Sequence, residues 1–466
     1  MKLLLVSLLV LEITKPLSFY WTLQLRTLYS RFSKLTIVFI TTLGLWTIPS
    51  SLVAAIQASR PTFYKDVLPI FEAHCQVCHR PGEIGPMPLI TYGQARPWAK
   101  AIQQQVVLRK MPPWFADPRY GHFSNDPSLT PAEIAVISKW AETGAPAGDR
   151  KDAAPPRNLA TGWNIGRPDL VLRMPQAFHL PPSGTIEYQY LVIPTGFHED
   201  KWVTAAEARP SNRSVVHHAV VYIREPGSSW LPDAKPGIPY SIPADDPKHG
   251  TLKTTSDILL VYAPGHVPEP LRPGDAKLIP AGSDLVLQVH YTPNGKPSSD
   301  QSEIGLVFAK SPVKARVLTL QMDVDRFVIP PGHPHFRVAV EGTLPNAATL
   351  LSFFPHMHYR GATFEYHYIH PDGTDEILLR VNPYRFHWQL TYQLAQPRPL
   401  PAEAHLLWVA YYDNSKNNPE NPDPDSAVYA GEQSWEEMMV GFFDVAVPPG
   451  VDKQQFFIRH AGGLRR

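Results

Sequence analysis

Asp284-Leu285-Val286-Leu287-Gln288-Val289-His290-Tyr291 decides how most of this chain folds. The run is rich in valine, leucine and aromatic residues and is cut off by Pro293-Asn294-Gly295, so it predicts a strand. Ile186 to Ile193 and His387 to Leu394 read the same way, each close to Pro, Gly or Asn. Fifty-one prolines in 466 residues argue against long helices over most of the chain. Many short strands without interleaved helices predict all-β, jelly-roll-like sandwiches from about residue 165 onward. One sandwich does not take up about 300 residues. Lys310-Ser311-Pro312 is the seam, giving sandwiches over 165–310 and 313–462.

The chain before residue 165 is of another kind. Cys75-Gln76-Val77-Cys78-His79 uses both cysteines of the protein and sets a histidine directly after the second. Two thiols at this spacing can form thioethers with the haem vinyl groups, and the adjacent imidazole then falls under the porphyrin as proximal iron ligand. A thiolate zinc site would need further cysteines, and there are none. A thioredoxin-type pair should follow a strand, whereas Asp66 to Ala73 reads as a short helix. Two more helices follow, from Arg96 to Arg109, stopped before Met111-Pro112-Pro113, and from Thr130 to Gly144, opened by a capping box with proline at its first turn. Residues 62–147 therefore form a small all-α, cytochrome c-like unit, with 148–164 as a polar, proline-bearing linker. Met111 on its proline-fixed loop is the expected second axial ligand, with Met87 and His122 as rivals.

Lys plus Arg (43) nearly balances Asp plus Glu (42), so no strong field favours nucleic acid or an anionic membrane surface. Residues 1–55 carry a basic flank (Arg31, Lys34), an apolar stretch from Leu35 to Trp46 and a small-residue site at Ser51 to Ala55. That is a signal peptide, or a segment that stays as an N-terminal anchor, and it implies an exported, periplasmic protein. Haem attachment outside the cytoplasm agrees with it.

Three histidine groups in the β region have metal-ligand character: His217-His218, His290, and His356-Met357-His358. Residues two apart on a strand face the same way, so His356 and His358 can share one ion. His217 and His218 face opposite sides unless the strand bulges there, and His290 would complete that site from another strand. Imidazoles with a thioether nearby suit copper cycling between Cu(I) and Cu(II). His333 and His335 follow Pro330-Pro331-Gly332 in a loop and are not read as ligands, nor are His367, His370, His387 and His405.

Val215-Val216-His217-His218-Ala219-Val220-Val221, Leu287-Gln288-Val289-His290-Tyr291, Phe354-Pro355-His356-Met357-His358 and Glu436-Glu437-Met438 occur in that order. Over residues 165 to 460 the chain resembles the copper type II, ascorbate-dependent monooxygenases, the family of dopamine β-hydroxylase and peptidylglycine α-hydroxylating monooxygenase. With the haem unit in front, it looks like a bacterial cytochrome c fused to such an enzyme. The resemblance implies two copper ions. His217, His218 and His290 would hold the electron-transfer copper in the first sandwich. His356, His358 and Met438 would hold the O2-binding copper in the second, with Met439 the rival thioether. It further implies hydroxylation of a C–H bond of an organic substrate, with electrons from the haem, ascorbate or another reductant. The alternative is a non-catalytic haem and copper electron carrier. The family's animal members are rich in disulfides, and this chain has no cysteine to spare.

Overall fold

The computed structural model describes residues 60–155, 162–242, 256–263, 266–456 and 459–460. The export segment expected at 1–55 and residues 156–161 of the linker lie outside them. Among the described residues no helix is long and apolar enough to cross a membrane.

Residues 60 to 155 are helical. A π-turn over Phe63–Val67 runs into a helix over Leu68–His74, and helices over Ala99–Val107 and Pro131–Glu142 follow. The Thr130 hydroxyl accepts from the Glu133 N–H while the Glu133 side chain takes the Thr130 N–H, which is the capping box expected from sequence. Phe63, Phe71 and Trp140 fill the centre of this unit. The unit closes on itself where the Phe63 and Tyr64 N–H groups bond to the carbonyls of Pro146 and Ala147.

Everything after is β. One eight-stranded sheet runs Leu170–Arg173, Glu303–Phe308, Lys201–Arg209, Asp275–Ile279, Ala315–Val324, Met439–Val447, Ala348–His356, Tyr392–Leu400. A four-stranded sheet (Gln189–Pro194, Asp284–Tyr291, Val216–Arg224, Asp257–Tyr262) shares one apolar core with strands of its first half. A five-stranded sheet (Asp375–Val381, Gly361–Ile369, His405–Tyr412, Phe336–Thr343, Arg459–His460) shares a second core with its other half. The chain changes sandwich at the expected seam, but the sheet does not stop there. Ala315 and Arg316 pair in parallel with Asp275 and Ala276, so the two sandwiches are joined along one hydrogen-bonded layer.

A third apolar layer joins them again. Leu191, Val221 and Leu287 of the four-stranded sheet point into the first sandwich, while Val192, Val220, Tyr222 and Val286 point the other way, onto Phe354, Val440 and Phe442 of the second. This sheet is buried on both faces, which explains why Asp284 to Tyr291 reads as a nearly continuous apolar run.

The expected strand at His387 to Leu394 begins only at Tyr392. Its first half is a turn that caps the interface between the sandwiches, because Phe386 and Gln389 are used there against histidines.

Gly441 lies in the strand Met439–Val447 that both sandwiches need. A Cβ there would sit 2.6 Å from Trp408 Cδ1 and 3.1 Å from Phe364 Cζ, both fully buried. Gly441→Ala should therefore cost about 1–3 kcal/mol by overpacking, read from the urea midpoint; an unchanged midpoint would show that this packing is loose.

Candidate metal centre

His218 and His290 stand on neighbouring strands of the four-stranded sheet, in register with each other, on the face turned toward the second sandwich. The register slips between Val216 and His218, so this strand carries a bulge at His217. That irregularity is what a shared site requires of two consecutive histidines. Ligand atoms of His217, His218 and His290 all lie within 4.8 Å of one another.

His356 ends the strand Ala348–His356 and faces the same interface from the other side, like Phe354 two residues before it. Ring centroids are 5.5 Å apart for His218 and His356 and 5.2 Å for His356 and His358. The two histidine groups, expected in separate sandwiches, thus form one continuous cluster of five imidazoles. Met438 and Met439 divide as a strand requires. Met438 lines a small pocket with His218 and His356, whereas Met439 is fully buried in the interior of the second sandwich. Met357 likewise points into that core between the two histidines.

Three of the imidazoles are held from behind by hydrogen bonds. His358 Nδ1–H donates to the Glu436 carbonyl at 3.3 Å. Gln389 donates its Nε2–H to the Phe386 carbonyl, which turns its Oε1 to accept from His356 Nδ1 at 2.7 Å. Both rings therefore keep Nε2 for a ligand. The Tyr188 hydroxyl holds His218 Nε2 at 3.1 Å, leaving Nδ1 directed at His217 Nδ1, 3.0 Å away. Phe386 stacks on His217 at 4.5 Å. Glu437 is fully buried, and its carboxyl takes the backbone N–H groups of His358 and Arg360 at 2.9 and 2.6 Å, tying the loop after His356 to the residue before Met438. Burial pushes that carboxyl up to about 8, against the backbone donors and the Arg360 charge that favour ionisation. Tyr188 and Gln389 were not legible as site residues, since nothing in sequence spacing ties them to the histidines, and Glu437 was legible only as part of the Glu436-Glu437-Met438 match.

These residues fit a soft or borderline metal. His217 Nε2, His290 Nδ1 and His358 Nε2 are buried without a hydrogen-bond partner, a costly state for a polar atom that coordination relieves. Burial, followed by the neighbouring imidazoles, pushes His217 down to about 3. Burial also takes His290 and His356 down to about 4 and lowers His218 and His358 well below the ordinary value. All five are thus neutral at physiological pH, the form that binds metal.

At the other redox motif, His79 donates Nδ1–H to the Met87 carbonyl at 3.0 Å and keeps Nε2 free. This is the arrangement a proximal haem ligand needs. A Cβ on Gly85 would lie 2.7 Å from the Cys78 carbonyl and 2.8 Å from His79 Nδ1, so the loop wraps the motif closely. The Met87 carbonyl thus lies on the Nδ1 side of the imidazole, away from Nε2. Met111 and His122 both line a cavity of about 520 Å³, a size within the range of cofactor sites. Met111 is half-buried there, and His122 is exposed. Cys75, Cys78 and His79 are not among the lining residues, and His74 is tied to Pro127 and Glu133, the sequence neighbours of lining residues Asp126, Ser128 and Ile134. Burial, with Cys78 and Glu133, pushes the Cys75 thiol up to about 12, which disfavours a thiolate metal ligand.

Three further histidines have carboxylate partners: His367 meets Glu365 and Asp375, His370 meets Glu376, and His405 meets Glu341. His333 and His335 lie in a loop before the strand Phe336–Thr343. His266, unremarked in the sequence, is half-buried and bonded to the Thr391 hydroxyl at 3.0 Å.

No family model matches the chain, and no curated protein matches it. Among solved structures it is similar to that of infectious bursal disease virus Gx strain (8% identity, 62% of this chain and 74% of that chain covered, TM-score 0.19). It is similar too to the VP2 subviral particle of the same virus (10% identity, 66% and 77% covered, TM-score 0.19). Overlaps at such TM-scores carry no argument about fold or function.

The metal-free protein should lose stability as pH falls from about 6.5 toward 4. The unfolded chain takes up protons on these histidines in that window while the folded chain does not, a slope of about 1.4 kcal/mol per pH unit for each. Glu437 and His367, both shifted upward, act in the opposite direction, but the five lowered imidazoles outnumber them. Urea midpoints at pH 7 and pH 5 should differ accordingly, and His290→Asn should flatten the dependence.

Proposed function

We propose that this chain is an exported copper- and haem-dependent monooxygenase that hydroxylates a C–H bond of an organic substrate with O2. The observation that carries the reading is the set of buried, neutral imidazoles, three of them with an unpartnered nitrogen, that meet Met438 across the sandwich interface. Their order along the chain is that of the copper type II, ascorbate-dependent monooxygenases. In this reading His217, His218 and His290 hold one copper, and His356, His358 and Met438 hold the other. Cys75 and Cys78 would carry the haem, and His79 and Met111 would hold its iron. When bound, the haem supplies single electrons and the coppers supply redox chemistry toward O2.

The protein's own part is orientation and exclusion. Tyr188, Gln389 and the Glu436 carbonyl fix which ring nitrogens face the interface. Phe354, Val440 and Phe442 keep water away from it. The Met438 thioether favours the reduced state of a copper it touches.

One observation favours the second reading, a non-catalytic electron carrier. The space beside His218, His356 and Met438 is about 20 Å³, room for about one water. A cavity of about 370 Å³ lies nearby and shares Val261, Phe354 and Phe442 as walls. An organic molecule there would reach the metals only if one of those side chains moved. The two readings part on oxygen. With copper loaded, ferrous haem should reoxidise faster in the presence of O2, and Met438→Ala should abolish that acceleration while leaving the haem spectrum intact. Acceleration that survives Met438→Ala would favour the carrier.

A further inference from the structure

The helical unit is held at two places. After Met111, the chain runs along the second sandwich: Ala116 bridges to Val381, Phe123 bridges to Leu394, and Asn125 bonds to Thr391 and Gln393. The Cys75 to His79 motif is held instead against the first sandwich. Glu83, with a side chain only 8% exposed, receives Arg80 at 3.5 Å, Arg209 at 3.6 Å and Arg213 at 3.2 Å. Arg80 also donates to Asn164 at 2.6 Å. One buried carboxylate with three guanidiniums is a fixed joint, since removing it would leave unpaired charge in a dry place.

What the joint positions is specific. Cys78, Arg213 and Tyr262 line one enclosure of about 20 Å³, too small for more than a water. The Arg213 guanidinium lies 5.9 Å from the centre of the Tyr262 ring. Tyr262 is the cross-strand partner of Ala219, the residue directly after His218, and Arg213 is four residues before His217. Two short routes therefore lead from beside Cys78 to the first histidine group, one along the backbone from Arg213 and one across the strand pairing from Tyr262.

The other attachment leads to the second histidine group instead, since Asn125 bonds to Thr391, two residues after Gln389, which accepts from His356. Trp114 and Phe123 of the Met111 cavity touch Tyr392 at 4.7 and 5.7 Å, but Tyr392 belongs to the interior core of the second sandwich, on the opposite face from the imidazoles.

We infer that the Arg213–Tyr262 edge is the port through which a haem on Cys75 and Cys78 passes electrons to the metal held by His217, His218 and His290. This rests on the functional reading above and adds the route. The step is one electron: the haem iron goes from ferrous to ferric, the copper from Cu(II) to Cu(I), and no proton or bond is exchanged. Glu83, Arg209 and Arg213 act as positioning residues and Tyr262 as the bridge.

The test is the anaerobic rate of haem oxidation after rapid one-electron photoreduction of the haem in the copper-loaded, full-length protein. Tyr262→Leu should slow it by about tenfold or more, because the contiguous path is broken. Arg213→Gln, on a side chain 20% exposed and so tolerant of change, should slow it by loosening the joint while the haem spectrum and copper content stay as they were. Tyr392→Leu should leave the rate unchanged. If the rate is indifferent to Tyr262 and Arg213, or falls only in Tyr392→Leu, the route is wrong although the functional reading stands. If the unsubstituted protein shows no transfer at all, the functional reading falls and the route with it.

Discussion

The contact between the two sandwiches is made by Tyr190, Val192, Val220, Tyr222 and Val286 from one side and Phe354, Val440 and Phe442 from the other. It is an apolar contact, and five imidazoles stand at its edge. Their neutrality, their unpartnered nitrogens and their closeness all follow from it. A histidine in water would titrate near its ordinary value and satisfy both nitrogens with solvent. Here burial alone is the first cause of every downward shift in the cluster. The eight-stranded sheet shared by both halves keeps that contact in register, through the parallel pairing of Ala315 and Arg316 with Asp275 and Ala276.

The same constraint arranges the helical unit. Its thiol-bearing loop is locked to the first sandwich by ion pairs, and its Met111 side is laced to the second by backbone bridges. A unit tied to both halves is not a bead on the linker at 148–164. Its Cys75–His79 loop has a defined neighbour, and that neighbour is the strand pair joining Ala219 and Tyr262.

Much of this was legible in the chain because strand chemistry is local. Asp284–Tyr291 was delimited as found, and the capping box at Thr130 and Glu133 marked its helix start. The need for a bulge at His217 followed from alternation alone, and the structure has one. The preference for Met438 over Met439 rested on the Glu436-Glu437-Met438 match, and the fold sets Met438 beside His218 and His356 and Met439 in the core. What sequence could not supply was the pairing of distant segments. The turn at Phe386 to Gln389 looked like the start of a strand, and only the folded chain brings Gln389 to His356 and Phe386 to His217. Nor could spacing tell that the two histidine groups share an interface, since that depends on how two sandwiches pack.

The central claim is that this interface is a two-copper site beside a covalent haem. The direct measurement is copper per haem iron in the full-length protein after reconstitution with haem and copper and removal of loosely held ions. The account predicts about two coppers per iron, falling toward one in His356→Ala with the haem retained. One copper or none in the unsubstituted protein would contradict it, and the imidazole cluster would then be a packed core with no metal to hold.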